Sequence, residues 1–260
     1  MYKILKYAFY DLIRSKWSYV YFAFYLLISG SLLFLTGDIS KVIISLMNIV
    51  LVLVPLIASI FGVMYYYNSR EFTELLLAQP IRRSNIFLGQ YFGLSVSLSS
   101  SLFLGIGIPF LFFGIFRSAE IWNFFILILT GVLLTFIFSA LAFLVALQNE
   151  NKLKGFGFML FIWLFLAIIY DGLFLLSLIV FKDYPLESLS ISMSMFNPID
   201  LSRVLILLKL DISALMGYTG AVFRKFFGND NGLILSSLVL LMWVIIPVAF
   251  IARVSKRKDF

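Results

Sequence analysis

The chain of 260 residues contains no cysteine and no histidine. These absences remove disulfides, thiolate nucleophiles, finger-type zinc sites and imidazole acid–base chemistry together. Charge is scarce too, at 13% of residues against 62% hydrophobic, and mean hydropathy is +1.06. There is no G-x-x-x-x-G-K-[ST] phosphate cradle and no Gly-Lys dipeptide at all, so hydrolysis of ATP by the P-loop route is not a property of this chain. A soluble domain of this length could not cover so much apolar surface.

What is present instead is a set of six apolar runs, over 17–36, 42–67, 87–116, 122–147, 156–181 and 233–253. About 20 residues suffice to cross a bilayer as helix, and the runs lack the alternation of membrane β-strands. The sequence therefore predicts an all-α integral membrane protein with six transmembrane helices in a single domain over 1–260. The first run is long and carries no small-residue cleavage site, so it is expected to stay as an anchor. Trp17, Tyr19 and Tyr21 suit its interfacial end. The third run carries Gly89-x-x-x-Gly93, a series of serines and Pro109; small residues four apart allow close helix approach, and the proline predicts a kink.

The net charge of +7 raises nucleic acid as a partner, but the cations gather at span ends, as orientation signals do. With the N-terminus in the cytoplasm, 13 Lys and Arg fall inside and 7 outside, and five of those seven lie in 182–231, a long segment where the rule is weak. Both termini are thus expected inside, with no nucleic-acid role. Residues 1–18 form an amphipathic pattern, with Leu5, Ala8, Phe9 and Leu12 on one face and Lys3, Lys6, Tyr10 and Arg14 on another. That predicts an interfacial helix in contact with membrane lipids, the alternative being a plain cationic tail.

Between the second and third runs lies 68–87, with REFTELLLAQPIRR over 70–83. Asn68 followed by Glu71 suggests a capping box, Gln79-Pro80 a helix end, and Ser84 a cap for the next helix. A short helix held across the membrane face, showing acidic, apolar and basic groups together, suits a partner's groove; the plainer reading is a connector with orienting arginines. The extracytoplasmic segment 182–231 predicts two amphipathic helices on the outer leaflet or over the bundle mouth, one with Leu201, Val204, Leu205 and Leu208, the other with Ile212, Leu215, Met216, Thr219, Phe223 and Phe226. Asn197-Pro198 and Asp200 suit a turn and a helix start. Asp171 is the one acidic residue well inside a run, either a polar lock or a side chain bonded to Ser or Tyr. Met193 and Met195 offer soft sulfur ligands, but two thioethers alone make a weak copper site, and no metal site is expected.

VPLIA over 54–58, the 70–83 segment and IFLGQYFG over 86–93 together resemble the core signature of ABC-2 type permeases. Three further stretches resemble the branch that serves copper-site maturation of nitrous oxide reductase in denitrification: YDGLFLL over 170–176, the NP-x-DL-x-R element NPIDLSR over 197–203, and LDISAL over 210–215. One departure is visible, in that Asn68, Ser69, Arg70 and Glu71 stand where the family often carries an acidic cluster. The resemblance implies the ABC-2 permease fold, a homodimer in a bacterial inner membrane, and a separate ATPase subunit that binds ATP and magnesium while this chain binds no cofactor. It implies that Arg70, Glu71, Phe72, Glu74, Leu75, Pro80, Arg82 and Arg83 couple to that ATPase. It further implies a periplasmic subunit, docked through Asn197, Pro198, Asp200 and Arg203, and a copper chaperone. The alternative within the family is a general exporter of a drug, lipid or other hydrophobic substrate.

Overall fold

The computed structural model describes residues 1–181, 186–209 and 230–257. Among them there are helices and no strands. α1 (Tyr2–Ile13) and α2 (Lys16–Thr36) are followed by α3 (Ile39–Asn68), the short α4 (Arg70–Leu77), α5 (Arg83–Phe112) and α6 (Ile121–Gln148). α7 (Lys152–Leu164) and α8 (Tyr170–Val180) are joined by a π turn at Phe165–Ile169, and α9 (Leu186–Phe196), α10 (Pro198–Lys209) and α11 (Asp230–Arg257) complete the set. Six helical stretches are long and apolar enough to cross a bilayer: Lys16–Thr36, Ile39–Asn68, Arg83–Phe112, Ile121–Gln148, Lys152–Val180 and Ile234–Lys256.

The chain marks its own helix ends. Gly37, at φ 64°, closes α2 by donating its N–H to Leu33 O, a conformation only glycine adopts cheaply. Asp38 then caps α3, accepting from Ser40 N at 3.0 Å and Lys41 N at 3.4 Å. Ser15 caps α2 and Asn151 caps α7 in the same manner. Other signals resolve differently. Asn68 does not start α4: it ends α3 and accepts from Lys152 Nζ at 3.1 Å, and Ser69 serves as the joint without a side-chain cap. Ser84 lies inside α5 and does not cap it. The third span ends at Phe112, short of the expected 116, because Gly114 turns left-handed at φ 77° and leads into a 3-10 turn.

α3, α5 and α6 form the interior, while α2, α7–α8 and α11 lie around them with most of their apolar surface outward. Tyr91, Phe87, Phe138, Phe143 and Leu46 are fully enclosed. Outward-facing Phe34, Leu35 and Phe112 are at least four-fifths exposed, which suits hydrocarbon and not water. α1 packs along α5 with Ile4, Ala8 and Leu12 inward, so its buried face is offset from the expected one; Leu5 and Phe9 sit half-buried at its edge. The reason is Gly89-x-x-x-Gly93. A Cβ on Gly93 would lie 2.5 Å from Ala8 Cβ and 2.9 Å from Leu5 O, and one on Gly89 would meet Ile4. The small-residue stripe thus seats the N-terminal helix and not another span.

The segment after α8 also departs from expectation. α9 and α10 do not lie across the bundle mouth. Asn197, at their junction, donates to Leu166 O at 2.8 Å, at the midpoint of the fifth long helix, and Trp243, near the middle of α11, donates to Met195 O at 3.1 Å. The α9–α10 hairpin therefore dips to mid-height between these helices. α10 packs on α3, α6, α9 and α11, and Leu201, Ser202, Val204, Leu205, Ile206 and Leu207 are all buried. The expected face of Leu201, Val204 and Leu205 is buried, and contacts on several sides enclose Ser202, Ile206 and Leu207 as well. The second expected helix, Ile212 through Phe226, and the LDISAL stretch lie outside the described residues, as does the side chain of Leu208.

Candidate functional site

Two constellations carry the charged and polar residues that the apolar background makes conspicuous. The first is α4. Its anchor is Thr73, 3% exposed, whose hydroxyl donates to Ser69 O and accepts from Gln90 Nε2, both at 2.8 Å. Gln90 is itself buried in α5, so a single bond ties the short helix to the third span. Phe72 turns inward and stacks on Tyr7 of α1, with ring centroids 4.6 Å apart and 22° between planes. Of the expected coupling residues, Phe72 is thus an internal link. Glu71, Glu74, Leu75, Pro80, Arg82 and Arg83 stand on the exposed side. Leu75 is 69% exposed beyond the end of a span, and Arg70 Nε pairs with Glu74 Oε1 at 3.1 Å. An exposed i,i+4 pair contributes only a few tenths of a kcal/mol, so this face is held by Thr73 and Phe72 and leaves its charges accessible.

The base of α4 is braced on the other side as well. Tyr67 donates to Asn149 O at 2.7 Å, across the turn between α6 and α7. With the Lys152–Asn68 bond, this fastens the end of α3 to the start of the fifth span. Sequence reasoning missed Tyr67, Thr73 and Gln90; a polar Gln within an apolar run was the available signal.

The second constellation sits where the α9–α10 hairpin meets α8. Arg203 Nη1 donates to Asp171 Oδ2 and to Asp200 Oδ1, each at 3.0 Å. Asn197 caps α10, its Oδ1 accepting from Ile199 N, while its Nδ2 donates both to Asp200 Oδ2 at 2.9 Å and to Leu166 O. Leu166 belongs to the π turn, where the helical ladder is rearranged. Asp200 is buried beside Asp171, and its carboxylate is held by Arg203 and Asn197. One guanidinium thus serves two carboxylates in a largely enclosed place.

Asp171 accordingly has an arginine partner 32 positions away, neither a Ser nor a Tyr. Asn197 and Asp200 are 0% and 6% exposed, and Pro198 is buried. With Arg203 turned toward Asp171, these four residues are the internal frame of the hairpin and not its outward surface. Met193 Sδ accepts from Ser177 at 3.1 Å, and Tyr170 donates to Met193 O at 2.7 Å. Met193 and Met195 lie two apart on α9, and side chains at that spacing do not face each other, so the pair does not converge on one ion.

An all-helical chain with six apolar spans, a short helix outside them and a hairpin sunk among them is a multi-pass membrane protein. No protein-family model matches the chain. Over 190 residues it is 27% identical to the probable ABC transporter permease protein NosY of Stutzerimonas stutzeri, a match that takes in 70% of this chain and 65% of that protein. The chain thus matches just under two thirds of the length of that relative. This likeness supports kinship with ABC transporter permeases.

Proposed function

We propose that the chain is the transmembrane permease subunit of an ABC transporter, set in the bacterial cytoplasmic membrane with both termini inside. Two copies pair, and each takes a separate ATPase subunit, which binds ATP and magnesium, onto α4. The observation that carries this reading is the construction of α4: an exposed face of Glu71, Glu74 and Leu75 on a helix whose inner face is tied to two other elements, through Thr73 to Gln90 of α5 and through Phe72 to Tyr7 of α1. A partner that moves this helix moves the third span and the N-terminal helix with it. Arg70, Pro80, Arg82 and Arg83 border the same face.

On the opposite side the α9–α10 hairpin re-enters the membrane, which its buried backbone and satisfied Asn197 make tolerable. The narrower reading is that its movement is passed to a periplasmic subunit, with a copper chaperone nearby, in maturation of the copper site of nitrous oxide reductase. The NPIDLSR element at the hairpin turn and the likeness to NosY support it.

The test combines Glu74→Lys with Leu75→Asp. Both side chains are exposed, so the variant should fold and insert normally. Wild-type protein purified from native membranes should bring an ATPase with it, whereas the double variant should lose that partner or leave its hydrolysis unresponsive to the permease. Retention of full coupling in the double variant refutes the assignment of α4.

A further inference from the structure

A groove of about 510 Å³ opens sideways where α1, the start of α2, the end of α3 and α4 meet. Its walls are largely aromatic and aliphatic, among them Tyr7, Trp17, Phe61, Met64 and Phe72, and one carboxylate, Asp11, lines it. Asp11 is the only acidic residue among the first 37, in a stretch that also holds Lys3, Lys6, Arg14 and Lys16. Yet none of these cations pairs with it. Lys6 and Arg14 sit instead over the Tyr10 ring, at 6.0 and 5.9 Å from its centroid, and no ion pair joins Asp11 to another of the described residues. Asp11 is exposed and lines the apolar groove, so a ligand that carries both an apolar tail and a cation complements the two together. The groove lies beside the interfacial helix, with Trp17 and Tyr10 exposed in the manner of an aromatic belt.

We propose that this groove is a binding site for a membrane phospholipid with a primary ammonium headgroup. The ammonium donates to Asp11, and an acyl chain lies along Phe61 and Met64. A bound lipid then touches α4 through Phe72 and α1 through Tyr7, so it fills the space beneath the stacked pair that joins them. The site depends on the membrane-edge position of α1 and not on an ATPase partner.

The test uses the full-length protein, stripped of lipid in detergent and titrated with phosphatidylethanolamine, phosphatidylcholine or phosphatidylglycerol under native mass spectrometry. No ATPase is present, so this result is independent of the reading of α4. Wild type should retain one phosphatidylethanolamine per chain about three- to fivefold better than either other lipid, the range of one partly exposed ion pair. Asp11→Asn should bring the three lipids level. Met64→Trp, which narrows the groove where the acyl chain lies, should weaken retention of the first bound lipid whatever its headgroup. Equal retention of all three lipids by wild type, an unchanged preference in Asp11→Asn, or a lipid held as well by Met64→Trp as by wild type overturns the proposal. So does retention of a soluble cationic amphiphile in place of phosphatidylethanolamine.

Discussion

Replacing Arg203 by methionine should be among the most damaging single changes in the chain. The substitution keeps most of the side chain's bulk and deletes the guanidinium that bridges Asp171 and Asp200. Breaking a fully buried pair costs about 3–5 kcal/mol, because the orphaned charge stays desolvated. Here Arg203 and Asp171 keep 29% and 33% side-chain exposure, while Asp200 keeps 9%. Partial hydration softens the loss, so about 2–3 kcal/mol is expected, or a fall in Tm of roughly 5–10 °C for a chain of this size. Thermal unfolding of the detergent-solubilised protein measures this. A triple variant that also carries Asp171→Asn and Asp200→Asn should recover most of the loss. A deficit under about 0.5 kcal/mol would refute the account of the cluster.

Gly93→Val should lift α1 from α5, since even a Cβ there would lie 2.5 Å from Ala8 Cβ; overpacking of this kind costs about 1–3 kcal/mol, and labelling of a cysteine placed at Ala8 should rise sharply. Thr73→Val removes the acceptor for Gln90 Nε2 and strands a buried amide, at a local cost of about 1–3 kcal/mol. Because that bond fastens α4 to the third span, the variant should, if α4 takes an ATPase subunit as proposed, weaken stimulation of that ATPase while leaving its binding near normal, and unaltered stimulation would count against the link.

Much of the bundle was open to inspection in the linear chain. Apolar length alone located the six spans. The hairpin was not, and the reason is physical. Asn197, Asp200 and Arg203 are polar, which suggests a wet surface, but each satisfies another inside the protein, and Asn197 also serves the carbonyl of Leu166. Such closure depends on partners 31 and 32 positions away, beyond the reach of any local pattern. The Gly89 and Gly93 spacing announced a close crossing without naming the partner, because a glycine stripe is indifferent to what fills it. At α4 the residue types were informative, but the division of labour was not. Phe72 and Leu75 both suggested an apolar face, and only packing against Tyr7 sends one inward and leaves the other out.

The π turn at Phe165–Ile169 has a bearing on Asp171. A π turn holds about one residue more than an α turn, and each residue advances an α-helix by about 100°. Everything downstream is therefore rotated by roughly a quarter of a revolution relative to an uninterrupted helix. Excise a single residue from that stretch, letting the helix relax to ordinary pitch, and the two changes cancel, so Asp171 should still face Arg203. A one-residue deletion inside 165–169 should therefore be borne better than one between 153 and 164, which would turn the carboxylate about 100° off its guanidinium; thermal unfolding of the two variants compares them.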